Sequence, residues 1–430
     1  MAVQMKKQIL LPLLLCAQIM GWAQENVTLT GETTDEHFVT RKVTQQLVTK
    51  TRRMTSQGDP QAILTYKEVP GNWAVPLAES LMKRYPDYRY AYWKDYTYVH
   101  GYAFEVLLRL YDLTGDKRYL DYVVSYIDHF LDEEGNYKGD ALTNLDNFMT
   151  GSAFCSLYYY TGQQKYKKAA LQILKAVDDY PSSDGQFWHG NKSPNMWIDG
   201  VFMMQMFLTR CAQYVGNKDQ CLEIACRNVI AAAKHLQRED GLLLHAWTTQ
   251  PEKAKWADQQ TGLSPEVWSE GMGWYALLLP ELLHVLTPVH PAYQQIYSIY
   301  QRMAQGIRQY QDTNTGGWYM VVDKGSNAMN YIDPSGTAMF IYSIQRGIDL
   351  NLLRRKDYAK VAQRGYECLR DFIQVNKNGL LDVLGGCDGV GIKTDFISYV
   401  TIPKMKNAKE TVIGMLWAGV IMEKNNIKKQ

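Results

Sequence analysis

Several kinds of chemistry are missing from this 430-residue sequence, and each absence narrows its function. It has no glycine-rich phosphate loop, which argues against a nucleotide site. Its seven cysteines include no CxxC pair and have no histidine at ligand spacing. We therefore expect buried thiols, no metal and no cofactor, although a disulfide that sequence cannot assign stays possible. The formal net charge is only +2, so the composition indicates neither a nucleic acid nor an anionic membrane as partner.

Long apolar segments are also absent, apart from one at the N-terminus. Met1–Ala23 carries Lys6 and Lys7, then an apolar run, then Gly-Trp-Ala as a small-residue cleavage site. The run is too short for a permanent membrane helix. We therefore predict a cleaved bacterial signal peptide and a protein that is periplasmic or secreted. Its removal leaves 44 basic and 44 acidic residues.

No Pro/Ser-rich linker divides the rest of the chain, but an internal repeat organises it. Five times an apolar helix ends in a short polar turn, and a second helix opens with an aromatic residue or cysteine, as in LTGDKRY and YTGQQKY. Further helices fit His37–Gln57 and Pro76–Tyr85, which makes about six pairs. We predict one all-α catalytic domain over residues 24–430, an (α/α)6 barrel of six helical hairpins closed into a toroid. An open helical-repeat solenoid is the alternative.

The loops that lead into the first helix of each pair are long and aromatic. The stretch Gly185–Met206 is an example: Trp188, His189, Trp197 and Asp199 precede or open an apolar helix. If all pairs are arranged alike, these loops line a funnel at one end of the barrel. Aromatic rings and isolated carboxylates suit a carbohydrate. The plainer interpretation is that Asp199 is a helix cap and that the tryptophans are core filler.

Several motifs together resemble a known family. They are FWHGNKSPNMWIDG, with NLDNFMTG before it and HAW, WADQQTGLSPEVWSEGMGW and SGTAMFIYSI after it. In this order they resemble the unsaturated rhamnogalacturonyl and glucuronyl hydrolases of glycoside hydrolase family 105, relatives of family 88. The resemblance runs from about Tyr96 to the C-terminus. It implies a six-fold α/α barrel, in agreement with the repeat.

The resemblance also implies a reaction. The substrate is an oligosaccharide, produced by a polysaccharide lyase, with a 4,5-unsaturated uronic acid at its non-reducing end. Ordinary glycosidases expel the leaving group between two carboxyl groups. In this family an acid instead protonates C4 of the vinyl ether, water adds at C5, and the resulting hemiketal opens to release the sugar.

Site residues follow position by position. Asp199 matches the family's general acid/base and Asp146 its second carboxylate, while His189, Trp197, His245 and Trp274 match residues that contact substrate. Trp188 and Tyr98, from the same aromatic loops, complete the predicted binding set.

The sequence departs from the family at Glu270, where the motif usually carries arginine four residues before Trp274. An arginine can pair with a substrate carboxylate or sulfate, whereas an ionised glutamate repels one. Glu270 is therefore predicted to alter which sugar is accepted, unless it only caps its helix and points away from the substrate.

Two other classes of function stay open at this point. One is a different sugar-active enzyme on the same barrel, such as an ordinary glycosidase or an epimerase; an epimerase would be expected to use two histidines, and His189 and His245 are the candidates. The other is a noncatalytic glycan-binding repeat protein, for which the aromatic residues matter and Asp199 does not. The uronate, the sugar beneath it and the oligomeric state do not follow from the sequence.

Overall fold

Helices dominate the residues that the structure describes, 68–89 and 96–428 of a computed structural model. The proposed signal peptide and the helix expected at His37–Gln57 lie outside these residues, so both stay predictions. Within the described part, no helix has the length and apolar character needed to cross a membrane.

Five consecutive helical hairpins form where the repeat predicts them. Short turns end their first helices, and Gly115 and Gly162 adopt positive φ angles of 69° there, which closes the helix end at little conformational cost. The pairs are α2 (Tyr98–Thr114) with α3 (Lys117–His129), α4 (Thr150–Thr161) with α5 (Gln164–Asp178), α6 (Ile198–Tyr214) with α7 (Lys218–Leu236), α8 (Ser269–Val285) with α9 (Tyr293–Gln309), and α10 (Pro334–Asp349) with α11 (Arg355–Leu369).

The first helix of each pair lies inside the barrel and the second lies outside. The inner helices α2, α4, α6, α8 and α10 pack side by side, and α13 (Lys409–Ile427) closes the ring between α10 and α2. Inner helices are buried on all sides, as in α8, where every residue from Ser269 to Leu283 is buried. Outer helices bury one stripe; α9, for example, buries Ile296, Ile299, Tyr300 and Met303 at helical spacing. The predicted all-α barrel is confirmed.

The sixth pair joins the two ends of the described chain. α1 (Ala74–Arg84) packs outside α13, while the expected hairpin of this helix with His37–Gln57 stays a prediction. Glu423 of α13 accepts hydrogen bonds from the backbone N–H groups of Trp73 and Ala74 at 2.9 and 3.1 Å. This carboxylate satisfies donors that a helix start leaves unpaired.

The remaining regular structure is short. Three antiparallel strand pairs occur in the described part of the chain: β1 (Ser182–Ser183) with β2 (Gln186–Phe187), β3 (Asn195–Trp197) with β4 (Ala246–Thr248), and β5 (Ile373–Val375) with β6 (Leu381–Val383). A short helix, α12 (Phe396–Val400), lies between β6 and α13, and 3-10 turns cover Leu145–Met149, Pro251–Lys253 and Arg370–Phe372. The six cysteines from Cys155 onward are buried and free, as expected of structural thiols.

A buried ion cluster joins the C-terminal halves of the inner helices. Glu281 of α8 accepts hydrogen bonds from Arg109, Arg210 and Arg346 at 2.6 to 2.8 Å, and one from the Tyr342 hydroxyl. These partners come from α2, α6 and α10, so one carboxylate holds four of the six inner helices together. Its side chain is only 1% exposed.

We predict that Glu281→Gln destabilises the barrel strongly. The amide keeps the shape but leaves the buried Arg210 and the partly buried Arg109 and Arg346 without their shared counter-ion. Breaking a buried ion pair typically costs about 3–5 kcal/mol. The measurement is the free energy of unfolding from chemical denaturation. Glu79→Gln is the control, because it breaks an exposed pair with Arg118 at 3.3 Å and should leave the unfolding midpoint unchanged. Equal stability of the two variants would contradict the prediction.

Candidate active site

Carboxyl groups gather where the inner helices begin. Each outer helix returns the chain, so all inner helices run in the same direction and their N-termini meet at one end of the barrel. From α4 onward each inner helix carries an acidic residue at its N-cap, in its first turn or in the 3-10 turn before it. We call these five residues the carboxyl cluster: Asp146, Asp199, Glu270, Asp333 and Glu410.

Backbone pairing between loops brings Asp146 beside His189. Asn144 pairs with Gly190 across the two loops, and the Leu145 N–H donates to the His189 carbonyl at 2.8 Å. As a result the His189 Nε2 atom lies 3.9 Å from Asp146 Oδ2. These residues belong to the approaches to α4 and α6, so the contact depends on adjacent hairpins.

A second pairing brings His245 beside Asp199. β3 and β4 place Trp197 opposite Ala246, and the Ile198 N–H donates to the His245 carbonyl at 2.9 Å. The His245 Nε2 atom then lies 3.9 Å from Asp199 Oδ1. The sequence places these two residues on different hairpins, and the strand pair unites them.

Aromatic rings form one side of this site. Trp197 stacks on His189 with a centroid separation of 4.0 Å and an interplanar angle of 4°, and it meets His245 edge-on at 6.1 Å. Gly200 leaves room for this stack, because a Cβ atom there would lie 2.5 Å from His189 Nδ1. Trp197 remains partly exposed beside Asp199 and so offers a ring face to a ligand.

Burial controls the proton affinity of the two aspartates. It raises the pKa of Asp146 to about 7. It also raises the pKa of Asp199 to about 6, although His189 acts in the opposite direction. The charge of Asp146 adds to the rise, while backbone N–H groups at the start of α6 oppose it. Since 26% of the Asp146 side chain and 14% of Asp199 stay exposed, both remain accessible to a ligand.

The other half of the carboxyl cluster is more deeply buried. Tyr98 donates a short hydrogen bond to Glu410, and Ser269 donates to Asp333 at 2.6 Å. Glu270 is 4% exposed; burial, followed by the charges of Glu410 and Asp333, holds its pKa well above the usual range. Within the described residues, no group of three acidic, histidine or cysteine side chains has the arrangement of a metal site.

Burial therefore favours the protonated, neutral form of Glu270. The alternative that it caps α8 finds no support, because the N-cap is Trp268 and no side chain caps that helix. The expectation that Glu270 repels an anion changes as well, since a protonated carboxyl can donate a hydrogen bond.

Two predicted binding residues lie apart from this arrangement. Trp274 is 2% exposed and packs against Tyr102 at 4.5 Å and Phe202 at 5.1 Å, so it fills the core beneath Tyr98. Trp188 is partly exposed and donates its indole N–H to the Ser183 hydroxyl at 2.9 Å. The filler interpretation therefore describes Trp274, whereas a substrate contact by the partly exposed Trp188 stays a prediction.

Sequence reasoning missed two residues of the site. Glu410 stands in KETVIGMLW, at the same place before an apolar helix as Asp199, so the repeat itself contained the signal. Tyr399 forms a hydrogen bond with His245 from a segment that has no equivalent in the repeat. No sequence signal indicates this contact.

A separate cavity lies at the outer surface. Its volume is about 940 Å³ and its lining includes Tyr297, Arg302, Asp349 and Tyr358 from α9, α10 and α11. None of its lining residues belongs to the carboxyl cluster. The lining also lacks a stacked aromatic pair next to two carboxyl groups with shifted pKa values. The carboxyl groups with raised pKa values and the stacked rings beside them therefore identify the inner-helix N-termini as the candidate active site.

We predict that the two aspartates titrate with apparent pKa values of about 7 and about 6 when their ¹³C carboxyl resonances are followed by NMR. Asp146→Asn removes a neighbouring charge and should lower the pKa of Asp199. Both groups ionise more readily in the unfolded chain, so their burial lowers folding stability as pH rises from about 4 to about 7. Asp258 is the control, because its hydrogen bonds lower its pKa. Titration of both site aspartates near 4 would contradict the argument.

Comparison with known proteins agrees with the barrel. The C. acetobutylicum glycoside hydrolase of family 105 is 26% identical, and the match covers 82% of this chain and 99% of that one with a TM-score of 0.76. The unsaturated glucuronyl hydrolase of Bacillus sp. GL1 shares the fold at 15% identity, with 82% and 95% coverage and a TM-score of 0.60. Protein Atu3128 of Agrobacterium fabrum is 29% identical over 184 residues, which is 40% of this chain and 78% of that protein.

The sequence model for Glycosyl Hydrolase Family 88 matches residues 73–426, which cover the described barrel helices to within one residue of the end of α13 and include the whole carboxyl cluster. The chain therefore belongs to glycosyl hydrolase family 88, and it is a glycoside hydrolase with an α/α-barrel fold.

Proposed function

We propose that this enzyme is exported and removes a 4,5-unsaturated uronic acid from the non-reducing end of oligosaccharides made by polysaccharide lyases. One observation carries the proposal: two carboxyls with raised pKa values, Asp146 and Asp199, lie beside the stacked rings of Trp197 and His189. The similarity to a solved unsaturated glucuronyl hydrolase supports the same chemistry.

Asp199 acts first as an acid. With a pKa of about 6 it holds a proton for a useful fraction of the time near neutral pH, as proton donation to C4 of the vinyl ether requires. The resulting Asp199 carboxylate then accepts a proton from the water that adds at C5. The hemiketal product opens and releases the sugar, so Asp199 ends the cycle protonated again.

Asp146 and the rings position the substrate. The Asp146 carboxyl lies next to His189 and forms hydrogen bonds with the hydroxyl groups of the sugar ring. Trp197 supplies an apolar face on which the sugar stacks. A neighbouring carboxyl also helps to keep the proton on Asp199, because two close negative charges repel each other.

Other sugar chemistry on this barrel fits the site less well. An epimerase would use histidines that exchange protons near neutral pH. Burial instead lowers the pKa of His245 to about 3, so this ring stays neutral. Membership of a glycoside hydrolase family also sets aside the noncatalytic glycan-binding alternative.

The test uses the conjugated double bond of the substrate. Lyase digests of pectin, rhamnogalacturonan, glycosaminoglycan and ulvan absorb in the ultraviolet, and hydration abolishes that absorbance. We expect loss of absorbance with at least one digest. No loss with any of them would overturn the proposal.

We predict that Asp199→Asn lowers kcat by about 10²- to 10⁴-fold, the usual contribution of general acid/base catalysis, without unfolding the protein. The amide keeps the shape of the side chain but cannot deliver the proton. Absorbance loss measures turnover and circular dichroism measures folding. Asp184→Asn is the control, since this residue lies in the same loop, is half exposed and pairs with His235 at 2.8 Å. Near wild-type turnover by the Asp199 variant would contradict the assigned role.

Glu270 is proposed to influence which unsaturated sugar is accepted. An arginine at this position can pair with an anionic group, whereas burial favours the protonated form of Glu270, which offers only neutral hydrogen bonds. The enzyme should therefore prefer a substrate whose part near Glu270 carries hydroxyl groups rather than a second anion.

We predict that Glu270→Arg shifts preference toward the unsaturated rhamnogalacturonan disaccharide, measured as a ratio of kcat/KM values for two unsaturated disaccharides. A ratio is needed because misfolding lowers both values together. Glu270→Gln is the matched variant and should keep the wild-type ratio, since burial already favours the uncharged form of the native side chain. An unchanged ratio in a folded Glu270→Arg protein would leave residue 270 as scaffold.

A further inference from the structure

A segment outside the helical repeat reaches into the site. Residues 385–407, which we call the C-terminal strap, leave β6, include α12 and return to α13; its ends pair where the Met405 N–H donates to the Gly386 carbonyl at 2.7 Å. The strap packs on the loop before α8, in a buried cluster that contains Trp268, Val390 and Tyr399. At Gly391 it also approaches Trp197, to 3.8 Å from an added Cβ atom.

The Tyr399 hydroxyl touches His245 from this strap. Its oxygen lies 2.6 Å from His245 Nδ1, and both side chains are completely buried. The backbone N–H of Lys393, also in the strap, donates to the same hydroxyl oxygen at 3.3 Å. Tyr399 therefore stands between a backbone donor and a histidine ring.

The direction of these hydrogen bonds follows from counting donors. Since Tyr399 accepts from Lys393, its own O–H needs an acceptor, and His245 Nδ1 is the partner that the described residues supply. If His245 Nδ1 carried the proton instead, the Tyr399 O–H would be buried without a partner. A buried donor without an acceptor is unfavourable, so the proton of the neutral ring belongs on Nε2.

The electrostatics on the Nε2 side of the His245 ring favours the same tautomer. His245 Nε2 lies 3.9 Å from Asp199 Oδ1, and both atoms are buried without a hydrogen-bond partner. A lone pair on Nε2 would face a carboxylate oxygen and be repelled, whereas an N–H is attracted to it. The gap is too long for a direct hydrogen bond and suits an oxygen atom that contacts both groups.

We propose that Tyr399 is a positioning residue, which holds His245 in the tautomer with hydrogen on Nε2 so that this N–H binds the oxygen of the water that Asp199 activates. The tautomer is independent of the reaction, whereas the role in orienting water rests on the proposed hydration of the vinyl ether. In that step the water oxygen bonds to C5, its proton passes to the Asp199 carboxylate, and His245 keeps its own proton throughout.

The tautomer is tested directly by NMR on protein labelled with ¹⁵N-histidine. The chain has eight histidines, and the His245→Gln variant identifies the His245 signals. We expect the wild type to show a protonated Nε2, and Tyr399→Phe to shift the population toward protonated Nδ1. Protonated Nδ1 in the wild type, or an unchanged tautomer in the variant, would overturn the proposal. This measurement needs no substrate, so it stands even if no digest is hydrated.

Kinetics tests the consequence. Tyr399→Phe should lower kcat by about 10- to 100-fold, as expected when a group that orients a functional histidine is lost, while KM changes by less than about twofold. Tyr300→Phe is the matched control: it also removes a buried hydroxyl, which donates to the Ser343 carbonyl at 2.7 Å away from the site. We expect wild-type kcat for that control.

A double variant separates positioning from packing. Glutamine at position 245 carries an amide N–H near the place of Nε2–H and has no tautomer to choose. Tyr399→Phe in the His245→Gln background should therefore change kcat by less than about twofold. If the loss caused by Tyr399→Phe is equally large in both backgrounds, Tyr399 only supports packing of the strap and the proposal is wrong.

Discussion

Backbone hydrogen bonds between neighbouring loops are the interaction on which this site depends. Each inner helix supplies only one or two functional side chains, and the helices alone do not determine how loops from adjacent pairs meet. The Leu145 N–H to His189 carbonyl bond and the Ile198 N–H to His245 carbonyl bond do so. These contacts use main-chain groups that would otherwise be buried without partners, which makes them obligatory for the fold as well as for the site.

The two ends of the inner ring have opposite electrostatic character. Carboxyls gather at the helix N-termini, and three arginines surround Glu281 near the C-termini, an arrangement that the helix dipoles favour. At the N-terminal end, however, burial outweighs the dipole, because removing a carboxylate from water costs more than partial backbone charges return. The pKa of Asp199 therefore rises although the residue lies in the first turn of α6.

Much of this architecture can be predicted from patterns along the sequence. The polar turns at Gly115 and Gly162 separate helices of different apolar character, and these differences predict inner and outer positions. An acidic residue at the start of successive inner helices is a local pattern too, and it extends to Glu410 once the repeat is followed to its end. Trp188 and Trp274 show the limit of such patterns, because an aromatic residue in a loop and one in the core look alike in the sequence.

Sequence alone determined the helical repeat, the direction of its inner helices and the acidic residues at their starts, because helical periodicity and turn chemistry act between residues close along the chain. Tertiary structure alone decided that α1 pairs with α13, through a contact between Trp73 and Glu423 that are 350 residues apart. It also decided that Glu270 is buried, which raises its pKa, and that Tyr399 reaches His245 across 154 residues. Burial and the direction of a hydrogen bond depend on what surrounds a group in space, and no local pattern contains that information.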